Sequence, residues 1–242
     1  MRSGNPALNK NTFKNLTNTS GDLMTLDGAV NKTGISLLIL LAAAYYTYSN
    51  AIMDYIFIGF IGGFVLALVT IFKKNWSPIT VPIYAVLEGL ALGGVSKMYG
   101  NLFYEGIVTQ SIMLTIGIFF TLLLAYKSKL IKPTENFKLG VVAATGGIAI
   151  FYFVSMLFNV FAGTTSPLLD PSNGGVMGVG FSLFVVVIAS LNLVMDFDFI
   201  EEAAEQGSPK YMEWYGAFGL LVTLIWLYLE ILRLLAKLNS RD

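Results

Sequence analysis

Three acidic residues stand where the sequence otherwise offers hydrocarbon. Asp196 lies in LNLVMDFDFIEE, Glu230 in LIWLYLEILRLL and Glu88 in VLEGLALGGVSKMYG. An ionised group at the centre of a bilayer costs about 3 kcal/mol on insertion scales, so such residues face a protein interior or a water-filled cavity. Polar side chains accompany two of them. Asn192 precedes Asp196 by one helical turn, and Thr223, Arg233 and Lys237 share a face with Glu230. Two readings stand for each acid: a ligand or gate for a cation, or a satisfied acid that joins helices. Oxygen ligands of this kind suit protons and hard cations such as calcium.

The chain has no histidine and no cysteine. That removes Ser–His and Cys–His catalysis, disulfides and most structural zinc sites. It carries no dinucleotide fingerprint, no P-loop and no EF-hand pattern, and neither the GxSG nor the GxGD of intramembrane proteases. The expectation is a protein that is not an enzyme and has no cofactor. Calcium enters only as an ion bound or carried at Asp196 and Glu230.

The elements that hold these acids are membrane spans. Only 12% of the 242 residues are charged, and mean hydropathy is +0.70. Uncharged runs recur that are long enough to cross about 30 Å of hydrocarbon as helices. Seven spans are expected, over residues 34–48, 51–72, 78–98, 106–126, 139–161, 176–200 and 214–235. The fold class is therefore all-α, a polytopic seven-helix bundle occupying residues 34–238. Residues 1–33 form a polar arm with no apolar run, so no secretory signal is read there. Net charge is zero, which gives no general attraction to nucleic acid; membrane lipid is the expected surrounding.

Orientation follows from the basic residues. The arm and the second, fourth and sixth loops carry eleven Lys and Arg, against four on the other side (Lys97, Arg233, Lys237 and Arg241). The amino terminus is expected in the cytoplasm. Seven spans then place the carboxyl terminus outside, against the pull of its basic tail.

Glycine pairs Gly59/Gly63, Gly89/Gly93 and Gly174/Gly178 have the small-xxx-small spacing of close helix contacts. Glu88, ten residues past Pro78, comes about 15 Å into its span. Asp54 at the second span's outer end reads as solvated. Asp198, Glu201, Glu202 and Glu205 read as a solvated loop at the sixth helix's end, with a cation-collecting vestibule as the alternative. No internal repeat is evident, which weakens an inverted-repeat transporter.

On MDFDFIEEAAEQG and WLYLEILRLL, with EGLALGG in support, the chain resembles the Bax inhibitor-1 (transmembrane Bax-inhibitor-motif) family, and within it the bacterial YccA-like branch. The likeness covers roughly residues 30–238. It implies a seven-helix bundle with the last helix central, in the bacterial cytoplasmic membrane. It also implies a pH-sensitive calcium leak governed by two acids on the last two helices. Those acids fall on Asp196 and on Glu230, the latter standing where leak-type relatives have aspartate. Asn192, Asp198 and Arg233 would support them. The two acids are 34 positions apart, which puts Glu230 about 24 Å up a helix that starts at Trp214. Simple placement keeps them out of contact and makes Glu88 an alternative partner for Glu230. The branch implies a second function, modulation of another membrane protein such as a membrane-bound AAA protease. A carboxylate gate predicts flux that steps with pH, because desolvation penalises the charged form of a buried acid.

Overall fold

In a computed structural model the described residues are 22–240. They form α1 (Leu26–Asn50), α2 (Tyr55–Phe72), a short 3-10 turn (Lys74–Trp76), α3 (Ser77–Leu102), α4 (Ile107–Lys127), α5 (Glu135–Ala162), α6 (Val176–Glu205) and α7 (Met212–Asn239). All seven α-helices are long and apolar enough to cross a membrane. The chain is an all-α, multi-pass membrane protein.

Local chemistry fixes the helix ends. Thr25 caps α1, its hydroxyl accepting from the Gly28 N–H at 3.0 Å. Thr134 caps α5 by accepting from Phe137 N–H at 3.3 Å, and Gly163 ends that helix in the left-handed region at φ 63°. Hydroxyls inside the spans return to the carbonyl four residues back, as Thr33 does to Ala29 and Ser111 to Ile107, each at 2.8 Å. With no water at that depth, this leaves few polar hydrogens unsatisfied.

The largest boundary differences from expectation are at α1 and α6. The helix α1 starts at Leu26, inside the stretch read as a polar arm, because the Thr25 cap lets Leu26–Thr33 continue the helix. Residues 1–21 of that arm lie outside the described residues. At the other end, α6 runs through the acidic cluster to Glu205, and Asp198, Glu201 and Glu202 are half-buried on its last turns. The cluster is helical, not a solvated loop. Asp54 is exposed, as expected.

The chain divides into two compact units. The first contains described residues 22–98 and 196–222, so it holds α1, α2, nearly all of α3, the end of α6 and the start of α7. Its helices meet through glycine. A side chain at Gly59 would collide with the Leu87 carbonyl and Ala91, and one at Gly89 with the Leu40 carbonyl and Ala43. Gly93 meets Ala44 and Thr47 in the same way. These pairs are close helix contacts. Tyr84 and Phe218 pack edge-on at 5.1 Å between centroids.

The second unit contains residues 99–195 and the described residues 223–240, with α4, α5, most of α6 and the rest of α7. A core of Ile148, Val185 and Ile188 is joined by Tyr152, Phe181 and Trp226. Gly178 departs from the glycine pattern. Its side-chain position faces Asn173 of the preceding loop, not another helix.

Burial separates the helices by role. Of the most apolar stretch of α7, 67% is buried, against 17–22% in α1, α2, α4 and α5. The outward faces of the latter, with Phe57 and Phe72 on α2 and Phe153 and Phe161 on α5, are apolar and exposed. The helix that carries Glu230 is the most enclosed of the seven.

Candidate functional site

In the second unit, helical spacing brings Glu230 and Arg233 to one face of α7, and α5 supplies Tyr152 opposite. Glu230 is 2% exposed. Tyr152 Oη donates to Glu230 Oε1 at 2.6 Å. Arg233 Nη1 donates to Glu230 Oε1 at 2.8 Å, to Oε2 at 2.9 Å and to Tyr152 Oη at 2.9 Å. The guanidinium also sits 5.5 Å from the Tyr152 ring centroid, where the ring's negative face favours a cation. The carboxylate is thus compensated by a charge from its own helix and a donor from a neighbouring one. Hydrogen bonds to ionised groups are roughly twice as strong as neutral ones, and a buried pair that is broken leaves an uncompensated charge.

Two turns beyond Glu230, Lys237 is wholly buried. Its ammonium donates to the Leu168 carbonyl, to the Gly178 carbonyl at 3.0 Å and to Ser182 Oγ at 2.9 Å. Three acceptors saturate its three protons. Lys237 therefore ties α7 to the α5–α6 loop and the start of α6. Asn192, also buried, donates through Nδ2 to Thr145 Oγ1 at 2.8 Å and to the Ile188 carbonyl at 2.9 Å. Its Oδ1 has no hydrogen-bond partner among the described residues.

The first unit holds the other acids. Asp196 is fully enclosed and Glu88 is 7% exposed. The carboxylate of Glu88 rests against α2 at Gly63, where any side chain would fall on its Oε1, Cδ and Cγ. Asp198 is half-buried two residues after Asp196. A further acid at the start of α7, Glu213, is 1% exposed. Its Oε1 accepts from Thr25 N and from Thr25 Oγ1, each at 3.0 Å, and from Lys210 Nζ at 2.9 Å. Gly28 makes room for it, since a Cβ there would overlap the carboxylate. Glu213 so places negative charge at the amino end of α1, where the helix dipole favours it. The chain before α1 is held to the α6–α7 turn by Met24 N–H to Ser208 O at 2.7 Å and Lys210 N–H to Asp22 O at 3.1 Å.

Of the residues singled out by sequence, Glu230 and Arg233 are brought together. Asp196, Asp198 and Glu88 belong to the first unit, and Asn192, Glu230 and Arg233 to the second. No group of three or more acidic residues among the described residues is arranged to hold a metal ion. Sequence reading missed Tyr152, Glu213 and the interior position of Lys237. Tyr152 has no signal in its own span, because the partner that makes it polar is 78 residues away. Lys237 had one, already used to set it on the face of Glu230: the seven-residue stripe Thr223, Glu230, Lys237.

The family model described as Bax inhibitor 1 like matches residues 5–240. No curated protein matches the chain.

Proposed function

The chain belongs to the Bax inhibitor 1 like family, and from that premise we propose that it is a pH-sensitive cation leak, with calcium as the ion carried. The observation that supports this most is the enclosure of Glu88, Asp196 and Glu230 inside membrane helices, at 7%, 0% and 2% exposure. Asp196 and Glu230 are the gating carboxylates in this reading, and Arg233 holds Glu230 closed by occupying both of its oxygens. An arriving cation competes with that guanidinium for the same lone pairs. In this reading ionised carboxyl oxygens attract a cation better than neutral ones do, and flux rises with pH. The protein needs no cofactor and performs no covalent chemistry in this proposal. Its place is the bacterial cytoplasmic membrane with the amino terminus in the cytoplasm. The basic tail then offers little resistance to an outside carboxyl terminus, because Arg233 is paired and Lys237 is buried.

The test is purified protein in calcium-loaded liposomes. Flux that rises with pH, and that Asp196→Asn and Glu230→Gln each flatten, is the expected result. Flux absent at every pH defeats the leak. In that event the second reading takes over, a non-conducting protein that modulates another membrane protein such as an AAA protease. The compensated Glu230–Arg233–Tyr152 cluster favours it, since a structural role asks only for such a balanced charge.

A further inference from the structure

Glu88 differs from the other buried acids in what surrounds it. Glu230 has Arg233, and Glu213 has Lys210 and Thr25. Glu88 has neither a hydrogen-bond nor an ion-pair partner among the described residues, although it is more than nine-tenths buried. The side chains that meet it and its neighbours on α3 carry no charge. From α2 it meets Gly63, flanked by Gly59 and Gly62, which lie on Leu87 and Ala91 of α3. The only ionisable residue on α2 is Tyr55, at its first position. From α1, α3 meets Leu40, Ala43, Ala44 and Thr47. From α7, Phe218 covers Tyr84. Tyr84, one turn before Glu88 and 4% exposed, is its titratable neighbour and offers no positive charge.

An ionised carboxylate in such a place has no counter-charge and no donor, and the unpaired charge is so costly that the group neutralises instead. We propose that Glu88 is a proton-binding site, a carboxylic acid held in its neutral form against the bare backbone of Gly63. The glycine is what makes the site. It lets α2 close over the carboxyl, so α2 contributes apolar surface and no competing ligand. Proton loss places a charge at the α2–α3 contact and loosens it. The site stands on the surroundings of Glu88 and does not depend on ion conduction.

The experiment is done on the full chain in detergent micelles, where conduction plays no part. The infrared difference between the unaltered protein and Glu88→Gln at neutral pH is expected to contain the carbonyl stretch of a neutral carboxylic acid. That band should disappear reversibly as pH is raised. Gly63→Ala, which pushes the carboxyl out of its position, should shift the band while helical content persists. A measurement needing no variant uses dicyclohexylcarbodiimide, which modifies neutral acids in apolar settings. Mass spectrometry should find Glu88 modified at least about tenfold faster than the ion-paired Glu213 and Glu230. An ionised-carboxylate signal from Glu88 at neutral pH, shifted by added calcium, would make it a cation site and overturn the proposal. Glu88 unmodified while Glu213 or Glu230 reacts would overturn it as well.

Discussion

Arg233 donates from one guanidinium nitrogen to both carboxylate oxygens of Glu230, one helical turn earlier, at 2.8 and 2.9 Å. The pair is nearly enclosed, with side-chain exposures of 22% and 2%. Position on a shared helix fixes the spacing, so little rotamer freedom is spent in forming it. A cation that is to use Glu230 has to displace a tethered competitor, and this makes the pair the natural point for mutation.

Glu230→Gln leaves the guanidinium without its counter-charge and should lower stability by about 3–5 kcal/mol. Removing both charges in Glu230→Gln/Arg233→Met should recover much of that loss, a coupling visible in a double-mutant cycle of unfolding free energies. Single effects that simply add would show the two residues acting independently.

Tyr152→Phe keeps the ring under the guanidinium and removes the hydroxyl that serves both partners. The expected loss is about 1–3 kcal/mol, that of hydrogen bonds to charged groups. If Glu230 gates conduction, the same variant should also raise flux, because the closed arrangement loses a tie. Unchanged stability would deny Tyr152 a place in the cluster.

Lys237→Met should cost about 3 kcal/mol by removing charge-assisted bonds to two carbonyls and a hydroxyl. Lys237→Arg should not rescue it, since a planar fork does not fit three acceptors converging on one ammonium. Hydrogen exchange of the 163–175 loop is the more specific readout and should quicken in Lys237→Met.

Glu213→Ala should release the chain before α1. Two hydrogen bonds from Thr25 are lost, while the bridge to half-exposed Lys210 contributes little. Amide exchange over residues 22–28 should accelerate with the rest of α1 unchanged. Equal exchange in the variant would mean that the backbone bonds to Ser208 and Asp22 suffice.

Single-cysteine labelling reads topology cleanly in a chain without native cysteine. Ser172, Ser128 and Ser240 are all exposed. Cysteines at Ser172 and Ser240 should label from outside and one at Ser128 from the cytoplasm. A cytoplasmic Ser240 would reverse the proposed placement of the tail.

The seven spans were legible in the sequence because hydrocarbon thickness imposes length and apolarity on every crossing helix, with no need to know its neighbours. The same held for Gly59/Gly63 and Gly89/Gly93, whose spacing is a property of one helix, and for the Glu230–Arg233 pair, set by a single turn of α7. What lay between elements was not legible. Tyr152 becomes a partner of Glu230 only when α5 and α7 pack, and Glu213 becomes an anchor for α1 only when its carboxylate reaches Thr25, 188 positions away. Lys237 was placed on the face of Glu230 by spacing, but its acceptors came only with the α5–α6 loop and α6. Local pattern determines which residues share a face. Whether a charge on that face meets lipid, water, a counter-charge or bare glycine is decided by the helix packed against it, and here the tertiary structure alone gave Glu230 its tyrosine and set Glu88 against Gly63.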